Sequence, residues 1–408
     1  MGVAIKPSQP ASASHRTGPS PAHWLHVAHE MADDLATDAA AREHAGKPPF
    51  DEVSRLRESG LLNLLIPAEL GGGGAEWPTA YAVVRAIAAT DSAIAQLLGS
   101  HYFLSWSARF FTEPGLAARI ERLSATEQWC WGGGFAAQDH PLTLTRKGRG
   151  YVLEGTQSYA TGVLVADRLA VRAERAGNRE PVAVVVTPTH PGVRIGAAES
   201  FGQRLAAGGD VGFDAVPVTV HDVLGSLAAD DEVLSPSAAL ASPIGRLLSV
   251  QLLLGLAEGA LAEARDYSRA AQSSWRSSWP DGSPQDPHVL TTYGELTILT
   301  RSAAALTDQA LTAVHNGLAR AKDLTYDEYA DISVHVTMAE AAASRAAQES
   351  TSRALDVVGS RSASARLGLD RFWRNARAHT LHRPVAHQFR DAGDYFLNGA
   401  HPPFVLPA

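Results

Sequence analysis

Hydrophobic positions recur with three different rhythms along the 408 residues. From about residue 22 to 127 they return at helical spacing, in Trp24–Arg42, Asp51–Ser59 and Trp77–Thr90, as in helices that bury one face. Asp51 and Asp91 stand where an N-cap carboxylate opens a helix, and Gly71–Gly74 reads as a connector between helices. From about 128 to 232 the period shortens to two. Leu142–Thr145 and Tyr151–Glu154 alternate on either side of Lys147-Gly148-Arg149-Gly150, a hairpin signal, while Pro181–Val186 and Val211–Val220 read as further strands. From about 233 to 408 helices return and lengthen. Leu247–Ala271 is apolar around most of its circumference, which predicts a central rod; Tyr293–Ala319, Tyr326–Gly359 and a last helix bearing His379 and His382 complete four antiparallel rods. Residues 1–21, rich in Ser, Pro and Ala, read as a disordered tail. The expected fold class is α+β in layers: an N-terminal helical domain, a central β-barrel or sandwich, and a C-terminal four-helix bundle.

Composition narrows the partners. Apolar residues make up 45% of the chain and charged ones 19%, enough for a large core. A formal net charge of −8 argues against nucleic acid and anionic membrane surfaces. The single cysteine, Cys130, allows no intrachain disulfide, which suits a reducing cytoplasm; between Trp129 and Trp131 it reads as core filler. No uninterrupted apolar run reaches the roughly 18 residues of a membrane span. Gly71–Gly74 lacks the Lys-Ser/Thr of a phosphate loop. The histidine groups His23, His26, His29 and His379, His382, His387 lack acidic or thiol companions at ligand spacing, so no metal is expected.

The chemistry concentrates in Arg371-Phe-Trp-Arg-Asn-Ala-Arg-Ala-His-Thr-Leu-His-Arg-Pro-Val385. Pro384 removes a backbone donor and disfavours helix before it, so this helix should end near His382. His379 and His382, three apart, then share a face at the helix end, two groups that titrate near neutrality. The run resembles the C-terminal signature of flavin-dependent monooxygenases on the acyl-CoA dehydrogenase fold, the group of dibenzothiophene monooxygenase. Arg374-Asn375-Ala376-Arg377 matches the opening; His382 falls on a tyrosine of ordinary dehydrogenases and Arg383 on their catalytic glutamate. Arginine cannot abstract a proton.

The resemblance, spanning about residues 30 to 400, implies a two-component enzyme that takes reduced flavin (FMN first, FAD the other option) from a separate reductase. With O2 it would oxygenate a small, largely apolar or amine-bearing substrate at S, N or C through a C4a-hydroperoxyflavin, as a cytoplasmic homotetramer. It places Gly134, Phe135 and Ala136 of the Gly-rich strand end, and Tyr159, Ala160 and Thr161, against the flavin ring. Arg269, and Ser360 with Arg361, correspond to the phosphate grip, and His382, His379 and Thr161 to the catalytic groups. Gln96, Ser100 and His101 stand on the substrate side, where relatives carry a His and a Tyr four residues apart; Gly134 replaces an Asn. Trp275–Trp279 reads as a loop over the pocket. The alternative is an acyl-CoA dehydrogenase with a relocated base. The matching position, Ile244-Gly245-Arg246, again lacks a carboxylate, which leaves Glu258 and Glu263 as candidates.

Overall fold

A computed structural model describes residues 18–228, 236–270, 285–320 and 323–406. The N-terminal part holds α1 (Pro21–Ala36), α2 (Ala39–Ala45), α3 (Phe50–Glu58), α4 (Trp77–Ala88), α5 (Ser92–Phe111) and α6 (Pro114–Glu127). The Asp91 carboxylate accepts from the backbone of Ala93 and Ile94 and so opens α5 as the sequence predicts. Three local expectations change. The helix expected over Trp24–Arg42 breaks at Thr37–Asp38 into α1 and α2. Asp51 lies inside the first turn of α3, which Pro49 caps; there it complements the helix dipole. Pro21, expected within the tail, instead opens α1, with Ser20 accepting from the His23 amide.

The middle of the chain forms β1 (Trp131–Gly134), β2 (Leu142–Lys147), β3 (Gly150–Ala160), β4 (Arg168–Arg175), β5 (Pro181–Val186), β6 (Val193–Ala197), β7 (Gly209–Val218) and β8 (Val223–Ser226). The hairpin β2–β3 pairs Lys147 with Gly150, as its turn residues require. All eight strands join one sheet in the order β6-β7-β3-β2-β4-β5-β8, with β1 beside β4. Pairings are antiparallel except β1–β4 and β2–β4. The sheet encloses its own core of Leu144, Leu153, Val171, Val184, Val211 and Phe213, drawn from five strands. It is therefore a barrel-like layer rather than two separate sheets.

The last part comprises α7 (Pro236–Ala239), α8 (Ala241–Ala270), α9 (Pro287–Ala319), α10 (Tyr326–Val358), α11 (Asp370–His382) and α12 (Val385–Asn398). The bundle expected from periodicity is present. Its fourth rod is two helices, because Pro384 closes α11 and caps α12. The Trp275–Trp279 segment lies outside the described residues. α8 is long and apolar enough to cross a bilayer by composition, yet 72% of its apolar window is buried inside the protein. It packs on α4, α5, α9 and α10. The approach to α4 is so close that a Cβ at Gly259 would lie 1.9 Å from the Ala89 carbonyl oxygen. One continuous core joins the N-terminal helices to the bundle. Sheet and bundle thus meet around α5.

His101 locks that meeting point. Fully buried on α5, its Nε2 lies 2.7 Å from the Leu62 carbonyl, and its Nδ1 accepts from the Trp131 amide at 3.0 Å. The first contact requires Nε2–H, so the ring is neutral with one defined tautomer. Burial pulls its pKa from 6.5 down to about 4. The unfolded chain therefore binds a proton that the folded chain refuses between these values. The contribution of His101 to stability is complete above about pH 6.5 and declines as pH falls toward 4. Thermal melts from pH 8 to 4 should show that decline, and His101→Gln should make it shallower; a wild-type profile flat to pH 5 would contradict the assignment. Gly259→Ala should lower stability by about 2 kcal/mol through overpacking against α4, read from urea denaturation midpoints.

Candidate active site

A cavity of about 210 Å³ opens where α4, α5, the ends of β1 and β3, α8, α10 and α11 converge. Its apolar wall includes Val84, Phe103, Leu248, Leu252 and Leu406. The C-terminal segment is held there because Ser242 Oγ donates to the Val405 carbonyl at 2.7 Å. His379, Thr380, His382 and Arg383 supply the opposite side from the end of α11.

The start of α11 is anchored, so its last turn is aimed. Arg371 forms an ion pair with Glu263 of α8. Arg374 reaches Glu43 of α2 at 2.8 Å and the Phe201 carbonyl at 3.0 Å. Asn375 Oδ1 accepts from the Gln203 amide at 2.6 Å. The Arg-rich opening of the run thus binds the helix to both other layers, and the histidines take the position that remains.

His379 retains partial surface, but its Nδ1 is buried without a partner. Burial, with a smaller contribution from His382, pulls its pKa down to about 3. His382 stands at the mouth, exposed at its surface, yet enough protein surrounds it that desolvation lowers its pKa also. Both imidazoles are neutral near pH 7, each able to donate from one nitrogen and accept at the other. The Tyr159 ring lies 6.2 Å from His382, edge to face. Tyr159 is 69% exposed and adopts φ +58°, where the β3–β7 register slips between Gln157 and Ala160. This bulge turns its side chain out of the ladder and over the mouth.

Glycine makes the floor possible. A Cβ at Gly133 (φ +118°) would meet the Ala170 carbonyl at 2.2 Å. Gly133 and Thr161 exchange two backbone hydrogen bonds, at 2.8 and 3.2 Å, which sets Thr161 on the cavity wall. Gln96 Nε2 lies 3.5 Å from Thr161 Oγ1, and Gln96 Oε1 is buried without a partner. Gln157 supports the same floor by donating to the Gly134 carbonyl at 3.0 Å.

Of the residues expected at the site, Gln96, Ser100, Ala136, Tyr159, Thr161, His379 and His382 line this cavity. Others do not. His101 is turned into the α5–β1 contact, since the residue after Ser100 points about 100° around the helix. Gly134 and Ala160 contribute buried backbone beside the wall, and the Phe135 ring is buried against Phe103 and Phe111. Arg269 lines a separate cavity of about 610 Å³ with Ser268 and Tyr293. Ser360 and Arg361 are exposed on the 3-10 turn Gly359–Ala363. Within one chain, the expected phosphate grip is not assembled at the histidines. Cys130 is fully buried and its thiol is pushed up to about 12, out of nucleophilic reach.

The unforeseen member of the site is Glu340. It is 5% exposed and lines the cavity with Arg246 and Arg383. Arg246 donates to Glu340 Oε2 from Nε at 3.0 Å and Nη2 at 2.8 Å; Arg383 Nη1 reaches the same oxygen at 3.0 Å. The sequence held a signal for it: Ser333, Thr337, Glu340, Ser344 and Ala347 fall on one buried stripe of α10, a helical spacing that places a carboxylate among core positions. Among the described residues it is the only carboxylate on this cavity. Glu258 pairs with Arg85 at 2.5 Å and Glu263 with Arg371, both off the cavity.

The orphan polar atoms Gln96 Oε1 and His379 Nδ1, beside close-packed glycine backbone, fit a planar heterocycle carrying both donors and acceptors. Residues 25–113 match the acyl-CoA dehydrogenase N-terminal domain and residues 247–387 its C-terminal domain. The chain is 34% identical to a probable FMNH2-dependent monooxygenase, SfnC, of Pseudomonas putida, over 96% of this chain and 98% of that one. It is 32% identical to dibenzothiophene monooxygenase of Rhodococcus erythropolis, over 92% and 93%. Among solved structures, FMN-bound TdsC from Paenibacillus sp. A11-2 superposes with a TM-score of 0.88 at 33% identity, covering 93% of this chain and 98% of that one. Methanesulfinate monooxygenase MsuC from Pseudomonas fluorescens gives 0.88 at 31%, with the same coverage. With a cavity of neutral imidazoles and its one carboxylate bound by arginines, the chain belongs to the flavin-dependent monooxygenases built on the acyl-CoA dehydrogenase fold.

Proposed function

We propose that this enzyme is the oxygenase half of a two-component system, receiving reduced FMN from a separate reductase and transferring one atom of O2 to a small organic substrate at S, N or C. One observation carries the reading: the cavity offers two neutral imidazoles and no unengaged carboxylate among the described residues. Such a wall donates hydrogen bonds and, among the described residues, lacks the free carboxylate that removes an α-proton in the dehydrogenases. The FMN-bound relative and the FMNH2-dependent one support the cofactor. Relatives named for dibenzothiophene and for methanesulfinate oxygenate substrates of very different polarity, so specificity is assigned from this chain's own wall.

Reduced FMN supplies the electrons that activate O2; the protein positions, shields and protonates. The isoalloxazine ring would lie against Ala136, Tyr159 and Thr161. His382 at the mouth and His379 behind it would donate hydrogen bonds to the oxygen being transferred, and an imidazole there could relay a proton to it by giving up its N–H as its other nitrogen takes a proton from water at the mouth. The Thr161 hydroxyl, which accepts from Gln96 Nε2 at 3.5 Å, is a third donor on the same wall. Val405 and Leu406, with the apolar side of α8, keep water out.

Arg269 and the Ser360–Arg361 pair would grip the phosphate of a cofactor seated in a neighbouring copy of a homotetramer. Exposed Leu290 and Ile298 on α9 and Phe396 and Leu397 on α12 support assembly, since such apolar groups gain by being covered. The alternative, a dehydrogenase with a relocated base, has no support at Glu258 or Glu263, whose carboxylates are paired outside the cavity.

Stopped-flow mixing of the reduced-FMN protein with O2 should give a transient flavin absorbance that outlives the same reaction in free solution. His382→Ala should shorten that transient by about tenfold or more, the usual scale for losing a positioned proton donor. Substrate turnover with oxidised FMN alone, or anaerobic dye reduction by an acyl-CoA thioester, would overturn the reading.

A further inference from the structure

Both positions at which the dehydrogenase scaffold would keep its base carry arginine, and the fold brings those two arginines together. Arg246 of α8 and Arg383 of the α11–α12 turn share Glu340, so two guanidiniums face one carboxylate on the cavity wall. The neighbouring charges do not balance the set. Asp391 lies 3.9 Å from Arg383 but is bound more closely by Arg390, at 2.6 Å. On the cavity wall itself stand two guanidiniums and one carboxylate, with Asp391 behind it. Arg246 is 4% exposed, and its Nη1 has no hydrogen-bond partner. A buried guanidinium with an idle N–H costs free energy unless something accepts from it. The adjoining wall is apolar, and His382 precedes Arg383 directly, so whatever binds the arginines lies beside the imidazoles.

We infer that Arg246 and Arg383 form an oxyanion seat, and that the substrate is a small organic acid with an apolar body and one carboxylate- or sulfinate-type group. Resting on the monooxygenase reading for its place in catalysis, this assigns the substrate class of the same cavity. The acid's oxygens accept from Arg246 Nη1 and from Arg383, complete the charge balance around Glu340, and hold the apolar body against α5 and α8. A neutral sulfur heterocycle would leave the Arg246 Nη1–H group without an acceptor, which disfavours it.

Calorimetric titration of the full-length protein with benzoate and with benzamide, with and without FMN, tests the seat without reduced flavin or O2. The two probes share shape and differ in charge. Benzoate should bind about tenfold tighter, as a charge-assisted contact exceeds a neutral one. Arg246→Gln should reduce that preference to about twofold or less, and Arg383→Gln should reduce it as well. Equal binding of the two probes by the wild type, or an unchanged preference in folded Arg246→Gln, overturns the seat. The wild-type comparison decides even if a variant does not fold. A benzoate preference in a protein that shows no oxygen-dependent transient would retain the seat and sink the oxygenase reading; the reverse pattern would do the opposite.

Discussion

A single carboxylate, Glu340, is the point on which the site depends. It ties α10 to α8 through Arg246 and to the α11–α12 turn through Arg383. These elements carry the apolar wall, the histidines and the segment behind them. A buried ion cluster of this kind is an inefficient source of stability, because desolvation consumes much of the Coulombic attraction and apolar side chains of similar volume do as well. Removing one member is far worse, on the order of 3–5 kcal/mol, since it strands a charge. The cluster therefore fixes geometry and charge at the cavity more than it adds to stability.

α11 divides its labour along its length. Arg371, Arg374 and Asn375 in its first turns spend their polar groups on α8, α2 and the segment before β7. Only the last turn faces the cavity, with His379 and His382. Because of this segregation, burial rather than the helix's arginines leaves the imidazoles uncharged. The guanidiniums near them are already committed to Glu43, Glu263 and Asp370, and burial sets the histidine pKa values.

Much of this was legible in the residues. The change of period from helical to alternating and back marked the three layers, because burial on one face writes its own repeat into a sequence. Pro384 gave the end of α11 at His382, because the loss of a backbone donor is a local effect. Features that depend on the third dimension were less accessible. His101, one residue from Ser100, was expected on the substrate side, and a single helical step turns it into the core instead. The Tyr159 bulge needed the β7 partner to become visible. Arg246 and Arg383 could be recognised as missing bases, but their meeting at Glu340 joins residues 246, 340 and 383, a long-range contact that no short spacing encodes. Glu340 itself was readable in principle from the buried stripe of α10.

The apolar circumference of α8 has a consequence during synthesis. Its heaviest cover comes from α10, which begins at Tyr326, more than fifty residues after α8 ends at Ala270. Until that distant helix leaves the ribosome, a rod long and greasy enough to resemble a bilayer span lacks its principal shelter. Nascent chains should therefore draw on holdase chaperones during this interval, and truncation between α8 and α10 should yield insoluble or membrane-adherent fragments rather than a smaller folded protein.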